Sequence, residues 1–267
     1  MPITSRRNPL VRRLARLVAD PAARRGEGVC VAEGPHLVRE ALAASVEVRT
    51  LVHTPEALAR AEVRALVDAA RDQDVDVVEM TASCYARFSA LKSPEGLAAV
   101  AAWRPIGLEA CLNADVRLVV LAGVQDPGNA GAVVRTALAA GAGGAVLCGG
   151  ADPSHPGLVR ASMGALFRLP LAISPMDELA ARARSAGVRL LVAHARGAVD
   201  YRAADYRPPV AVVVGAEGGG VPPELVDLAD ARVTIPMAPG VESLNVAVAA
   251  GVLLYRARDQ WSGEPSR

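Results

Sequence analysis

Hydrophobic residues Leu10, Val11, Leu14, Leu17 and Val18 recur at helical spacing between Asn8 and Asp20, which predicts a helix with one buried face. The short apolar run Val29–Glu33 then reads as a strand, and Pro35 opens a second helix. Strand and helix keep alternating: a strand at 46–52, a helix from Pro55 to about Arg71, then strands at 75–79 and 97–103. This alternation predicts a compact α/β unit over residues 1–104. Residues 105–115, with Pro105 and Gly107, read as a linker. Beyond them, segments 118–123, 145–147, 190–193, 210–215 and 232–235 are short and almost wholly apolar, with helical patterns between. Strands that are apolar on both faces belong to a mainly parallel sheet covered on both sides, so residues 116–267 are expected to form a second α/β domain.

Hydrophobic residues make up 52% of the 267 positions, enough to fill the cores of two such domains. Cys30, Cys84, Cys111 and Cys148 lie far apart with no paired spacing, so neither a metal site nor a disulfide framework is expected. Arg6 and Arg7 are followed by no apolar leader segment, and no apolar run approaches the length of a membrane span. A cytoplasmic protein with no membrane partner is the expectation. The net charge of +1 hides an asymmetry, because residues 1–25 hold seven arginines against the single acid Asp20. Such a cluster is either a solvated helix face or a phosphate-binding surface, with Arg6, Arg7, Arg12 and Arg13 as the candidate phosphate contacts.

Three polar loops stand out in the apolar second half. The first, residues 125–131, leads from a strand into a helix carrying Arg135, which is the only charge between Pro127 and Ala151. A lone charge in such company is costly unless it is paired or reaches solvent or ligand. Asn129 has two readings, a helix cap or a site residue. The second loop follows the strand Val210–Gly215 and contains Glu217 among glycines, which either make a turn or let backbone approach a ligand. The third runs from Ile235 to Asn245 and opens an almost entirely apolar helix over 246–255; Ser243 is placed to cap it, and the amide of Asn245 needs partners. Polar residues gathered on loops at strand ends suit a site at the C-terminal edge of a parallel sheet.

These segments, Asn129-Ala-Gly-Ala-Val-Val-Arg135, Val214-Gly-Ala-Glu217-Gly-Gly-Gly-Val221 and Ile235-Pro-Met with Glu242-Ser243-Leu-Asn245-Val-Ala247, resemble in order and spacing the three motifs of the SpoU (TrmH) family of the SPOUT superfamily. Weaker likenesses are Ser162-Met-Gly164-Ala165, and Glu33-Gly34-Pro-His-Leu37-Val38 with Ser93-Pro94-Glu95-Gly96 in the family's substrate-binding domain. Ala216 stands where many members carry Asn. The resemblance implies a trefoil-knot catalytic domain, a homodimer, S-adenosyl-L-methionine as the cofactor, and RNA as the substrate. It further implies catalytic roles for Arg135, Asn129, Glu217, Ser243 and Asn245, with Glu217 holding Arg135 or backbone donors. The cofactor is expected against backbone around Val214, Gly215, Ala216, Ile235, Met237 and Leu244.

The activity implied is 2′-O-methylation of a ribose in structured RNA, with 23S ribosomal RNA preferred to transfer RNA because a separate N-terminal domain suits a shaped target. A non-catalytic RNA-binding or ribosome-assembly protein is the alternative of another class. A dinucleotide-binding loop at 215–220 fails a simple requirement, since Val233-Thr234-Ile235-Pro236 offers no acid for a ribose.

Overall fold

The structure, a computed structural model, describes residues 2–44, 46–112 and 116–261. They form two compact units, of which the first contains residues up to Arg104 together with Asp152–Arg168, and the second contains Pro105–Ala151 and the chain from Leu169 onward.

In the first unit β1 (Val29–Glu33), β2 (Val48–His53), β3 (Asp76–Glu79) and β4 (Leu97–Ala102) form a sheet in the order β1-β4-β2-β3. β4 is antiparallel to both neighbours and β3 is parallel to β2. Helix Pro9–Ala19 is capped by the Asn8 side chain and buries Val11, Leu14 and Leu17, the stripe that its spacing predicts. These residues pack on Val29, Val31, Val52, Ala98 and Val100 of the sheet. The single helix expected from Pro55 to Arg71 is instead two, Pro55–Leu58 and Ala61–Asp72, because Arg60 adopts an extended backbone at the start of the second.

The sequence places Asp152–Arg168 in the second domain, but this stretch packs within the first unit. Its helix Pro156–Ser162 lies along β1 with Leu158 and Val159 fully buried. Arg24, one of the seven arginines near the N-terminus, is only 1% exposed and belongs to this packing. It pairs with Asp152 at 2.7 Å and donates to Ser154 Oγ and to the carbonyls of Leu17 and Val18. Burial alone would push the Asp152 carboxyl up, but hydrogen bonds from Arg24 and Ser154 outweigh it and hold the group below the ordinary carboxylate range.

Breaking this pair should therefore be expensive. Arg24→Ala is expected to destabilise the protein by about 3 kcal/mol in urea denaturation, since it strands a largely buried carboxylate. The stabilisation from Asp152 is present above the ordinary carboxylate pKa and is lost as pH falls through the lowered one. The gap between wild type and variant should then close on acidification, and a gap independent of pH would remove Asp152 from the account.

In the second unit β5 (Arg117–Ala122), β6 (Gly144–Cys148), β7 (Leu171–Ile173), β8 (Arg189–Ala193), β9 (Val199–Asp200), β10 (Val210–Gly215) and β11 (Ala231–Thr234) form one sheet in the order β7-β6-β5-β10-β8-β11-β9. Every pairing is parallel. β7 and β9, three and two residues long, are too short to show a period in sequence. The expected linker is part of this unit: Ile106 bridges to Ala172, and helix Leu108–Cys111 puts both its ends into the core. Residues 113–115 of that stretch lie outside the described residues. Helices Pro127–Ala140 and Val246–Trp261 pack on each other beside the centre of the sheet. Among the described residues no helix is long and apolar enough to cross a membrane.

Candidate active site

Because all seven strands run in one direction, their C-terminal ends share one edge, and the loops after β5, β10 and β11 leave from it. The loop after β5 enters its helix through Asp126, whose Oδ1 accepts from the Asn129 backbone N–H at 2.7 Å. Asp126 is thus the cap. This decides between the two readings of Asn129, which sits inside the first turn with its side chain free for another task.

That task is to join the three loops. Asn129 Nδ2 donates to Glu217 Oε1 at 2.5 Å, and Asn129 Oδ1 accepts from Asn245 Nδ2 at 3.0 Å. Asn245 Oδ1 in turn accepts from the backbone N–H groups of Ala247 and Val248, at 2.9 and 3.3 Å, at the head of the last helix. The chemistry of each partner fixes the direction of the whole chain. Backbone N–H groups only donate, so Asn245 must present its oxygen to them and its amide nitrogen to Asn129. Asn129 must then offer its own nitrogen to an acceptor, and the Glu217 carboxylate supplies one.

Two expectations are corrected by this geometry. Glu217 is tied to Asn129 and not to Arg135, which is exposed on its helix and forms no hydrogen bond or ion pair among the described residues. Ser243 is exposed and also without a partner among them; Asn245, two residues later, caps the last helix. Asn129, Glu217 and Asn245 are therefore brought together within one chain, and Arg135 and Ser243 are not bonded to them. Asp126 is not among the sequence candidates, although an Asp-Pro step three residues before Asn129 is a helix-start signal.

The loop after β10 closes on itself. Ala216 N–H donates to the Gly220 carbonyl at 3.0 Å, and Gly220 N–H returns the bond at 2.9 Å. A side chain at Gly215 would put its Cβ only 2.1 Å from the Gly220 carbonyl carbon, so glycine is required where the loop folds back. Both backbone groups of Ala216 are spent in this turn, so among the residues expected to hold a cofactor Ala216 offers only its methyl side. Val214 is buried in β10, while Gly215, Ile235, Met237 and Leu244 are half-buried. Between 235 and 244 the one backbone hydrogen bond among the described residues runs from Val241 N–H to Ala238. Half-buried apolar side chains beside unspent backbone donors and acceptors fit a ligand with an apolar body and a hydrogen-bonding rim, as an adenosyl group has.

Comparison with known proteins gives the same picture over nearly the whole chain. The SpoU rRNA Methylase family model matches residues 117–255, and the MRM3-like substrate binding domain model matches residues 8–99. The 23S rRNA guanosine 2′-O-methyltransferase RlmP of Bacillus subtilis is 30% identical over 85% of this chain and 87% of its own. The AdoMet-bound rRNA methyltransferase of Sinorhizobium meliloti superposes with a TM-score of 0.85 at 32% identity, covering 97% of each chain. The SpoU methyltransferase AviRb of Streptomyces viridochromogenes, in complex with AdoMet, gives 0.87 at 28% identity over 98% of this chain and 100% of its own. With its three loops tied by Asn129, Glu217 and Asn245 on a parallel sheet, the chain belongs to the SpoU family of RNA 2′-O-methyltransferases.

Proposed function

We propose that this protein transfers a methyl group from S-adenosyl-L-methionine to a ribose 2′-hydroxyl of 23S ribosomal RNA in the cytoplasm. The observation that carries the reading is the hydrogen-bond chain from the last helix through Asn245 and Asn129 to Glu217, which sets the relative position of all three loops. The names of the relatives support the substrate class and the cofactor. When bound, the cofactor supplies an electrophilic methyl group on a sulfonium.

The ribose oxygen must lose its proton as it attacks. Arg135 has its guanidinium exposed and without a partner among the described residues, and a guanidinium, which carries donors and no acceptor, acts there by stabilising the developing alkoxide, not by accepting the proton. Asn129 and Asn245 hold their loops, Glu217 anchors the turn after β10, and Ser243 is free to meet ribose or phosphate. Ile235, Met237, Leu244, Val214 and Gly215 would cradle the adenosyl group. On the first unit Arg6, Arg7, Arg12 and Arg13 would contact RNA.

The working form is a homodimer. Val248 and Tyr255 are about half exposed on the last helix with Val252 between them, an apolar stripe at spacings of four and three that suits a second copy.

Incubating purified protein with methyl-labelled cofactor and size-fractionated total RNA tests this directly. Label should enter the 23S fraction as a 2′-O-methyl nucleotide, and sedimentation at micromolar concentration should give a dimer. A protein that binds no cofactor and labels no RNA is not an enzyme of this kind; a monodisperse, fully active monomer removes the dimer.

A further inference from the structure

In the first unit, one end of the sheet gathers guanidinium groups from beyond the N-terminal cluster as well as from within it. Helix Pro21–Glu27 ends at Gly28, and four arginines from three separate stretches of chain converge on that turn. Arg13 pairs with Glu27 Oε2 at 2.8 Å and Arg16 with Glu27 Oε1 at 3.1 Å. Arg49, on β2, donates to the Glu27 carbonyl at 3.1 Å and pairs with Glu47. Arg104, at the end of the first unit, lays its guanidinium on Gly28: a Cβ there would sit 2.3 Å from its Nε. Gly28 has φ +64, so glycine serves both the helix end and the seat of Arg104.

The charge does not balance. Four guanidinium groups meet two carboxylates, and Arg12, exposed one turn before Arg16 on the same helix, adds a fifth. Both oxygens of Glu27 are taken by Arg13 and Arg16, so its role is to fix these two side chains, and the hydrogen bond from Arg13 in turn keeps the carboxyl below its ordinary range. Each guanidinium carries five donors, most of them unspent here, and Arg16 remains 61% exposed. Arginines held in place beforehand lose less entropy on meeting phosphate than free ones do.

Resting on the RNA reading above, we infer that the Glu27–Gly28 end of this sheet is the RNA-backbone-binding face of the first unit, with Arg16, Arg49 and Arg104 acting beside Arg12 and Arg13. Arg24, buried on Asp152, takes no part, and sequence alone cannot separate it from the others. Arg49 and Arg104 lie outside the N-terminal run and reach this face only through the fold.

The test is binding of the full-length protein to a fluorescently labelled in vitro transcript of a 23S rRNA domain, read by anisotropy across a salt series. No methyl transfer is needed for this readout. The double variant R49A/R104A should bind more weakly, with the slope of log affinity against log salt reduced by roughly 0.7–0.9 for each phosphate that is no longer neutralised. R49K/R104K should keep most of the slope, and R184A, an exposed arginine of the second unit, should match wild type. Wild-type binding with an unchanged slope in R49A/R104A overturns this placement and leaves the RNA reading standing. An equal drop in slope for the Lys and Ala variants also overturns it, since that result means packing and not charge. Absence of salt-dependent binding by wild type brings down both.

Discussion

Replacing Arg135 with alanine should lower methyl transfer by roughly 10²–10³-fold or more, while cofactor affinity stays within about threefold of wild type, since one preorganised electrostatic partner of the transition state is removed. The separation of effects follows from where the side chain lies. Arg135 is exposed, two turns into its helix, with no partner among the described residues, whereas the loops expected to hold the adenosyl group are tied together by Asn129, Glu217 and Asn245. Its loss should leave that tie intact. Arg135→Lys should recover little, because an ammonium lacks the planar fork of donors. Single-turnover transfer and equilibrium cofactor binding, measured on the same preparations, give the answer. Full turnover by the alanine variant would take Arg135 out of the chemistry.

The other large effect concerns truncation. Division of the sequence at residue 104 suggests that the catalytic half, once freed, folds alone and merely loses its RNA. The structure predicts otherwise, because Asp152–Arg168 packs into the first unit. A fragment beginning at residue 105 would expose Leu158, Val159, Ala165 and Leu166, all nearly fully buried in the intact chain. Uncovering such side chains costs about 1.5–3 kcal/mol for each large one, and a patch of this kind promotes aggregation. The fragment is expected to be insoluble or to melt far below the parent. A second fragment, with 152–168 also replaced by a short Gly/Ser linker between β6 and β7, should recover a cooperative melt and cofactor binding. If the simple truncation is as stable as that redesigned fragment, the burial of Leu158 and Val159 matters little.

The candidates for the site are legible in the sequence because each polar residue sits in apolar company. Glu217 is the only charge between Pro208 and Pro223, and Arg135 the only one between Pro127 and Ala151, so isolation itself marked them. What joins the three loops is not legible. The bonds from Asn129 to Glu217 and Asn245 span 88 and 116 positions, and no local pattern encodes a contact at that range. Arg24 failed for the same reason, since its partner lies 128 residues away and it reads like its six neighbours. The cap of the last helix is open even over a short distance, since Ser243 and Asn245 both suit the position and backbone geometry selects Asn245. The knot implied by the family resemblance depends on the path of the chain, which periodicity does not carry.

The division of the first unit between two stretches of chain also sets an order of events during synthesis. Its four strands are complete once residue 102 has been made, yet helix Pro156–Ser162, which covers β1, and the partner of Arg24 come only with residues 152–168. At elongation rates of about 5–20 residues per second, the 64 residues from 104 to 168 take roughly 3–13 s to appear. Throughout that interval the nascent chain carries a finished sheet with an uncovered strand and an unpaired guanidinium, while β5 and β6 of the next unit are already emerging. Chaperone occupancy on ribosome-bound chains should therefore peak between these two lengths and fall once Arg168 has cleared the exit.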